Sequence, residues 1–311
     1  MIPVWNEIGS LHELFDGIDA LSPHPTEVIF VISASSDGSA NAIDSCAGRS
    51  HFFAVRSISE PGAFPGGARN MGVKLASEPW IAFIDAGIVP NPDWLSQLWA
   101  CKEQSGSLAV YGSCHFHSDH AFGRIICALS YGQACVAPVL PASLFSREVF
   151  DRAGLFDDRL RSGEDIIWKR KLKESGVTIS ECKDALVEYR HFPNTLSGAI
   201  KKWFVYEKSA TIAGIWGPGR LALQLAILMT YAAVLWGLPV GFTLLAIYLL
   251  ARGVVDPIRR SKSRVWWRHW WQPLLAIPVA AALDLAAIAG RICAVLRLGT
   301  LQEKSKTAGN S

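Results

Sequence analysis

Apolar positions in the first half of the chain follow the periods of strands and helices. Residues 27–32 (EVIFVI) form a nearly continuous apolar run, which is typical of a buried strand. Ala68–Ser77 has apolar residues at helical spacing, and Trp80–Ile84 has the length and composition of another buried strand. Gly66 and Gly67 predict a tight turn before that helix. The alternation predicts an α/β domain.

The C-terminal part of the chain has a different pattern. The stretches Leu221–Ala251 and Pro273–Ile292 contain almost no charge, and the whole chain is 50% hydrophobic with a mean hydropathy of +0.23. Runs of this kind are long enough to enter a bilayer. We therefore expect a soluble head on a membrane anchor. A buried helical core is the alternative, and the basic and aromatic borders of the stretches argue against it.

The number of membrane crossings depends on one break and one basic segment. Gly237–Pro239 interrupts the first stretch, which predicts two short crossings, with a re-entrant hairpin as the competing geometry. The segment 252–271 carries six Arg or Lys residues against one acid, Asp256, so the positive-inside rule makes it a cytosolic loop. Topology therefore explains its charge without nucleic acid. An interfacial aromatic belt is predicted before the third apolar segment, at Trp266, Trp267, Trp270 and Trp271.

An amphipathic helix is predicted between head and anchor, over Thr195–Ala213. Lysines interleave there with large apolar residues, so the helix is expected to lie at the bilayer surface near anionic head groups. Its Lys202 and Trp203 are candidate contacts for an acceptor that arrives from the membrane. An ordinary amphipathic linker is the alternative.

Cysteine usage and the start of the chain bear on localisation. The seven cysteines include no CxxC pair, which fits a reducing cytosol rather than a disulfide framework. No basic segment followed by an apolar stretch precedes the first strand, so we expect a cytosolic head at the inner (plasma) membrane. The opening strand is short, from which we expect that a few native residues are missing or that the start is late.

A lone carboxylate, Asp85, follows the predicted strand Trp80–Ile84. Open α/β sheets bind ligands at the ends of their strands. A carboxylate there can hold a divalent cation on a diphosphate, and Arg69 and Asn70 can contact the same anion. A helix cap or a surface acid is the alternative interpretation of Asp85.

Several short motifs occur in a fixed order along about the first two-thirds of the chain. They are IPVWNE at 2–7, ARNMG at 68–72, FIDAG at 83–87 and the segment ending GEDIIWKRKL at 163–172. Together they resemble the inverting glycosyltransferases of family 2. This resemblance implies a GT-A fold, a nucleotide-sugar-binding α/β domain with a mostly parallel central sheet. The segment IKKWFVYEKSA at 200–210 is similar to bacterial exopolysaccharide glycosyltransferases of the succinoglycan type.

The resemblance also implies roles for individual residues. Asp165 matches the family's catalytic base, and Glu164 helps to form the acceptor site. The positions that match donor contacts are Pro3, Glu7, Asp37, Arg69, Asn70 and Asp85. The alternative, purely structural interpretations are helix capping for Glu164 and Asp165 and a local turn held by the side chain for Asp37.

The sequence departs from the family pattern at the metal site and at the base site. The usual Asp-x-Asp is Asp85-Ala86-Gly87 here, so one carboxylate would hold Mn²⁺ or Mg²⁺ together with waters and phosphate oxygens. His191 is a candidate further ligand that would favour Mn²⁺, with a structural role as the alternative. Ile32 and Ser33 occupy the place of the Asp that binds the nucleobase of the donor in the family. The resemblance therefore does not identify the nucleobase.

These observations predict an inverting glycosyltransferase that moves one sugar. The donor would be a nucleotide sugar, and the acceptor a membrane-associated, polyprenyl-diphosphate-linked glycan in cell-surface polysaccharide synthesis. The alternatives are a processive synthase, against which residues 199–203 (AIKKW in place of Gln-x-x-Arg-Trp) argue, and an inactive membrane-bound sugar-nucleotide-binding protein. The predicted organisation is a GT-A domain at 1–194, an interfacial segment at 195–219, a transmembrane region at 220–298 and a polar tail at 299–311.

Overall fold

The computed structural model describes residues 1–49, 51–263 and 269–308, without the side chains of 298–308. The chain forms two compact units. The first contains Met1–His117 and Val136–His191, and the second contains Ser118–Cys135 and Phe192–Ser311. The segment Ser118–Cys135 therefore belongs to the second unit, whereas residues 1–194 are predicted to form one GT-A domain.

The strands lie in the first part of the chain and the longest helices in the last. The strands are β1 (Ile2–Val4), β2 (Glu27–Ile32), β3 (Ala54–Ser59), β4 (Trp80–Ile84), β5 (Ile88–Pro90), β6 (Ala109–Phe116), β7 (Cys135–Pro138), β8 (Ala142–Ser146) and β9 (Ile179–Tyr189). The helices are α1 (Ile8–Asp19), α2 (Ser39–Ala47), α3 (Pro65–Leu75), α4 (Trp94–Ser105), α5 (Ala121–Ser130), α6 (Glu148–Ala153), α7 (Glu164–Glu174), α8 (Leu196–Ile212), α9 (Pro218–Leu235), α10 (Pro239–Leu250), α11 (Asp256–Arg260) and α12 (Trp271–Ala308).

The first unit is built on two sheets. Strands β1, β2 and β3 are parallel, so their carboxyl ends meet at one edge. The second sheet has the order β4-β8-β6-β9-β5 and is mixed, because β6 and β9 are parallel while β8 is antiparallel to β4 and β6. Met1 joins the sheets: its amine donates to Ala82 O at 2.9 Å, and Ile84 N donates to Met1 O. The α/β prediction is confirmed.

The amino end of β1 borders an apolar cavity of about 300 Å³. Met1, Val28, Ala82 and Trp94 are among its lining residues, which place it at the amino ends of β1, β2 and β4. Burial lowers the pKa of the Met1 amine to about 5, so the amine is neutral at pH 7. The donor site is predicted at Asp85, at the carboxyl end of β4. The cavity therefore lies at the opposite edge from the predicted donor site.

An aromatic cluster fixes the start of α7 in the first unit. Trp168 is fully buried and stacks on Phe150 with ring centres 5.2 Å apart. Its ring also packs against Phe156 and Phe145. The indole Nε1 donates to Gly154 O at 2.9 Å. This packing holds the residues immediately before it in α7, which include the predicted catalytic pair, in a defined position.

Helix α3 begins earlier than the sequence indicates. Gly66 and Gly67 lie in its first turn, not in a turn before it, because Pro65 occupies a first-turn position that suits proline. A Cβ built on Gly66 would lie 2.3 Å from Asp157 O, whereas one on Gly67 would lie 3.4 Å from the nearest atom, Asp158 Cβ. Gly66 therefore permits the close approach of α3 to the segment around Asp157.

We expect Gly66→Ala to destabilise the protein and Gly67→Ala to leave it intact. The first substitution forces the backbone of α3 away from the backbone at Asp157, which should lower the free energy of unfolding by about 1–3 kcal/mol. The second adds a methyl group in ordinary contact and gains helix propensity, up to about 1 kcal/mol. Denaturant unfolding of the detergent-purified variants measures both. Equal stability of the two variants would show that the approach of α3 to Asp157 O does not constrain the fold.

The second unit contains three helices, within the described residues, that are long and apolar enough to cross a membrane. They span Pro218–Leu235, Pro239–Arg260 and Trp271–Arg297. The predicted break near Gly237 is confirmed, since α9 ends at Leu235 and α10 begins at Pro239. Many large apolar side chains of these two helices are exposed, as on a lipid-facing surface and unlike a buried core.

The basic segment is partly helical, which corrects the predicted loop at 252–271. A π-helical turn at Ala251–Val255 continues α10 into α11, so the helix runs to Arg260. Arg252 is accommodated there because two carboxylates neutralise its charge. Its Nη1 lies 2.7 Å from Asp256 Oδ2, and its Nε lies 2.9 Å from Asp284 Oδ2. The tryptophans predicted at 266 and 267 lie outside the described residues, while Trp270 is exposed.

Helix α8 confirms the helix predicted between head and anchor. Thr195 caps it, and its Glu207 is buried among polar partners within the second unit. Glu207 accepts hydrogen bonds from Arg220, Gln224 and Arg291 of α9 and α12. The buried charge is therefore paired, and the pairing joins three helices.

Candidate active site

The carboxyl ends of β1, β2 and β4 carry polar side chains. Glu7 follows β1, Asp37 follows β2 and Asp85 follows β4 directly. A Cβ built on Gly87 would lie 3.6 Å from Glu7 Oε2, so the loops after β1 and β4 are neighbours. This edge is the place where open α/β sheets bind ligands.

Arg69 of α3 joins two of the predicted site residues. Its Nη2 lies 2.8 Å from Asp85 Oδ1, and its Nη1 donates to Glu164 Oε1. Arg69 and Glu164 are buried, whereas the Asp85 side chain is 38% exposed. The motifs ARNMG, FIDAG and GEDIIW, which are far apart in sequence, thus meet at one guanidinium.

The charges at this junction shift the pKa values of two groups. Burial acts to lower the pKa of Arg69, but the negative charges of Asp85, Glu164 and Asp165 outweigh it and raise that pKa. Burial raises the pKa of Glu164 despite the attraction of Arg69. Arg69 is therefore charged under all ordinary conditions, and the carboxylates around it are held in one network.

Asp165 is the second residue of α7 and is half-buried beside Glu164. Gly163 precedes the helix with a φ of 87°, a conformation that glycine adopts without strain. Asp165 directly follows Glu164, whose carboxylate contacts Arg69, and the negative charge of Asp165 contributes to the raised pKa of Arg69. Its role as the base stays a prediction.

Asn70 holds the segment that leads to α7. Its Nδ2 donates to Phe156 O at 3.0 Å, and its Oδ1 accepts from Phe156 N at 2.9 Å. Both polar atoms of the Asn70 amide therefore form hydrogen bonds with the backbone of a single residue, Phe156. The structure thus gives Asn70 a positioning contact, and its predicted contact with the donor stays a prediction.

The remaining predicted donor residues lie around the ends of β1 and β2. Pro3 lies within β1 opposite Val31. Asp37 is exposed. It accepts from Ser39 N at 3.0 Å, which is the local turn of the alternative interpretation, and it also accepts from Ile8 N of α1 at 3.0 Å, which joins the loop after β2 to the start of α1. Glu7 accepts from Ser10 Oγ at 3.0 Å. Their donor contacts stay predictions.

A divalent cation at this edge would have Asp85 as its protein carboxylate. Among the described residues, no group of three or more His, Cys, Asp or Glu is arranged to hold a metal. Asp85 is partly exposed beyond its contact with Arg69, as a single protein ligand would be. His191 Nε2 instead lies 3.5 Å from Glu13 Oε2. His191 is not part of a group of metal ligands among the described residues, and its role as a ligand stays a prediction.

The predicted acceptor residues lie in the second unit. Lys202 and Trp203 are half-buried in α8, and the Lys202 ammonium lies 5.5 Å from the ring centre of Tyr206. Their contact with an acceptor stays a prediction.

Comparison with known proteins shows similarity to glycosyltransferases. Residues 1–127 match the family described as Glycosyl transferase family 2. The chain is 24% identical over 310 residues to glycosyltransferase AglE of Haloferax volcanii, covering 96% of this chain and 95% of the relative. It is 27% identical over 173 residues to the pre-mycofactocin glycosyltransferase of Mycobacterium tuberculosis, covering 51% of this chain and 36% of that protein.

Solved structures show the same fold. The mannosyltransferase PcManGT from Pyrobaculum calidifontis, in complex with GDP-Man and Mn²⁺, has a TM-score of 0.54 at 18% identity, covering 91% of this chain and 85% of that one. S. aureus TarS 1–349 with UDP-GlcNAc has a TM-score of 0.50 at 16% identity, covering 96% and 90%. Fold and matches together define a glycosyltransferase with a GT-A fold. The match to glycosyltransferase family 2 covers its N-terminal region, residues 1–127.

Proposed function

We propose that the protein transfers one sugar, with inversion, from a nucleotide sugar to a lipid-linked glycan of a cell-surface polysaccharide. The contact of Arg69 with Asp85 and Glu164 carries this proposal. It links a strand-end carboxylate suited to the donor's cation to the helix start that bears the predicted base. A retained arrangement of this kind favours a working enzyme over an inactive binding protein.

Asp165 would accept the proton of the acceptor hydroxyl as that oxygen attacks the donor's anomeric carbon. Inversion follows when attack and departure take place on opposite faces of that carbon. Glu164 Oε2 is buried and makes no hydrogen bond within the described part of the chain. A buried carboxylate oxygen of this kind is a suitable acceptor for a second hydroxyl of the incoming sugar.

Asp85 would hold a divalent cation, Mn²⁺ or Mg²⁺, together with the donor's phosphate oxygens. When bound, such a cation supplies positive charge to the departing diphosphate. The PcManGT structure contains both Mn²⁺ and GDP-Man, which supports a divalent cation and a nucleotide sugar as ligands of this fold. Asp85 is accessible enough to serve as a ligand.

The test is release of a nucleoside diphosphate by detergent-purified protein given a panel of nucleotide sugars with membrane lipid extract. We expect one donor to be consumed in a lipid-dependent manner and Asp165→Asn to abolish the release. If no donor is turned over, although nucleotides bind to the protein, the inactive binding protein is correct.

We expect the head and the segment around Lys262 to face the cytosol. Three crossings at α9, α10 with α11, and α12 would put the C-terminus on the opposite face. Protease added to sealed inside-out vesicles should therefore digest the head and a tag at Lys262 while a C-terminal tag is protected. Protection of the Lys262 tag, or digestion of the C-terminal tag, would contradict this topology.

A further inference from the structure

An exposed tryptophan stands at the donor edge. Trp5 follows β1 directly and is 47% exposed. The next residue, Asn6, has a φ of 56°, and its backbone and side chain are held by Ser35 Oγ at 3.1 Å and Ser36 N at 2.8 Å. The loop after β1 is therefore braced against the loop after β2, and the indole is presented from a defined turn.

Arg161 lies on this tryptophan. Its guanidinium carbon is 4.0 Å from the centre of the Trp5 ring and 5.9 Å from the centre of the Phe64 ring. Arg161 belongs to the segment between α6 and α7, and it precedes Glu164 by only three residues. The amino half of that segment is held through Phe156 by Asn70. The contact with Trp5 places the carboxyl half at the same edge.

The balance of charge at the edge calls for a further cation. Glu7, Asp85, Glu164 and Asp165 are carboxylates around this edge, and Arg69 is buried between two of them. A nucleotide sugar brings further negative charge on its diphosphate. Arg69 contacts Asp85 and Glu164, and the proposed divalent cation offsets only part of the remaining negative charge, so a further positive group near the diphosphate would stabilise the bound donor.

We propose that Arg161 binds the diphosphate of the donor and that Trp5 is the platform that holds its guanidinium at the donor edge. This proposal rests on the proposed function. Guanidinium binds phosphate through paired, charge-assisted hydrogen bonds, which are stronger than its contact with an exposed aromatic face. The bound diphosphate therefore takes up the Arg161 guanidinium, while the packing of Trp168 keeps the start of α7 in place. Arg161 thus links the donor to the segment that leads directly to the predicted base.

Competition by nucleotides tests the proposal without requiring full turnover. Ligand binding is measured by thermal shift and titration calorimetry on the full chain with Mn²⁺, using UDP, UMP, GDP and GMP. For the nucleotide series that binds the wild type, Arg161→Ala should weaken the diphosphate at least about tenfold and leave the monophosphate within about twofold. Arg161→Lys should restore part of the difference, because it keeps the charge and loses the paired geometry.

Arg159→Ala is the matched control. Arg159 lies two residues away, is exposed and pairs with Asp157 at 2.8 Å. Its removal should therefore change neither the affinity for the diphosphate nor the affinity for the monophosphate. Equal losses for diphosphate and monophosphate in Arg161→Ala, or no loss for either, would overturn the role of Arg161. Because either outcome requires that the wild type binds a nucleotide, it would leave the proposed function standing. If the wild type binds none of the four nucleotides, the proposed function itself is contradicted.

Discussion

Asp165→Asn is expected to lower sugar transfer by roughly a hundredfold or more while nucleotide-sugar binding stays nearly unchanged. The amide keeps the size of the side chain at the start of α7 but cannot accept a proton, and positioned bases contribute about 10²–10⁴-fold. Trp168 and Gly163 hold this helix start independently of the substituted group. Initial rates at saturating donor and donor titrations measure the two effects.

The control for that variant is Asp151→Asn, an exposed carboxylate on α6 in the same unit. It makes the same chemical change outside the site and should retain full turnover. Near-normal turnover in Asp165→Asn would refute its assignment as the base. A parallel loss in both variants would point to general damage.

Asp85→Ala is expected to be inactive at any Mn²⁺ or Mg²⁺ concentration, with a loss of about a hundredfold or more. The substitution removes the only carboxylate of the family's usual pair, and with it the charge that the cation supplies to the departing diphosphate. It also removes one of the two carboxylates that contact Arg69. Turnover after exhaustive chelation, followed by metal titration, is the measurement.

Two further variants separate those roles. Asp85→Asn keeps an oxygen for Arg69 and lowers the charge, so it should fold normally and still fail in transfer. Gly87→Asp should lower the metal concentration required, because Gly87 has no positive φ and a Cβ there meets Glu7 Oε2 at an ordinary 3.6 Å. Full activity of the chelated wild type would remove the metal from the account and leave the diphosphate charge to arginines.

Local patterns predicted the elements that local chemistry determines. The apolar run of β2, the body of α3, the strand β4 and the break at Gly237 were all recognisable from periodicity and from glycine and proline. The start of α3 was misplaced because Gly66 serves a contact with Asp157 O, which no local pattern reveals. The pattern of the basic segment predicts a loop, because the neutralising partner of Arg252, Asp284, lies on another helix and is not part of the local pattern.

Site residues were predicted as candidates but not as contacts. Arg69 and Asn70 are adjacent and are both predicted to contact the donor, yet Arg69 joins Asp85 to Glu164 while Asn70 holds the backbone of Phe156. Trp5 and Arg161 were missed altogether. Their contact brings together residues that are distant in sequence, and only the aromatic character of the residue after β1 hinted at it.

Mass spectrometry of the lipid product tests the central claim most directly. Purified wild-type protein is incubated with the donor that it consumes, in excess, and with the lipid-linked acceptor. The account predicts that the acceptor gains the mass of one sugar and no more, and that Asp165→Asn yields no gain. A ladder of products would establish a processive synthase, and an unchanged acceptor mass would contradict transfer to that lipid.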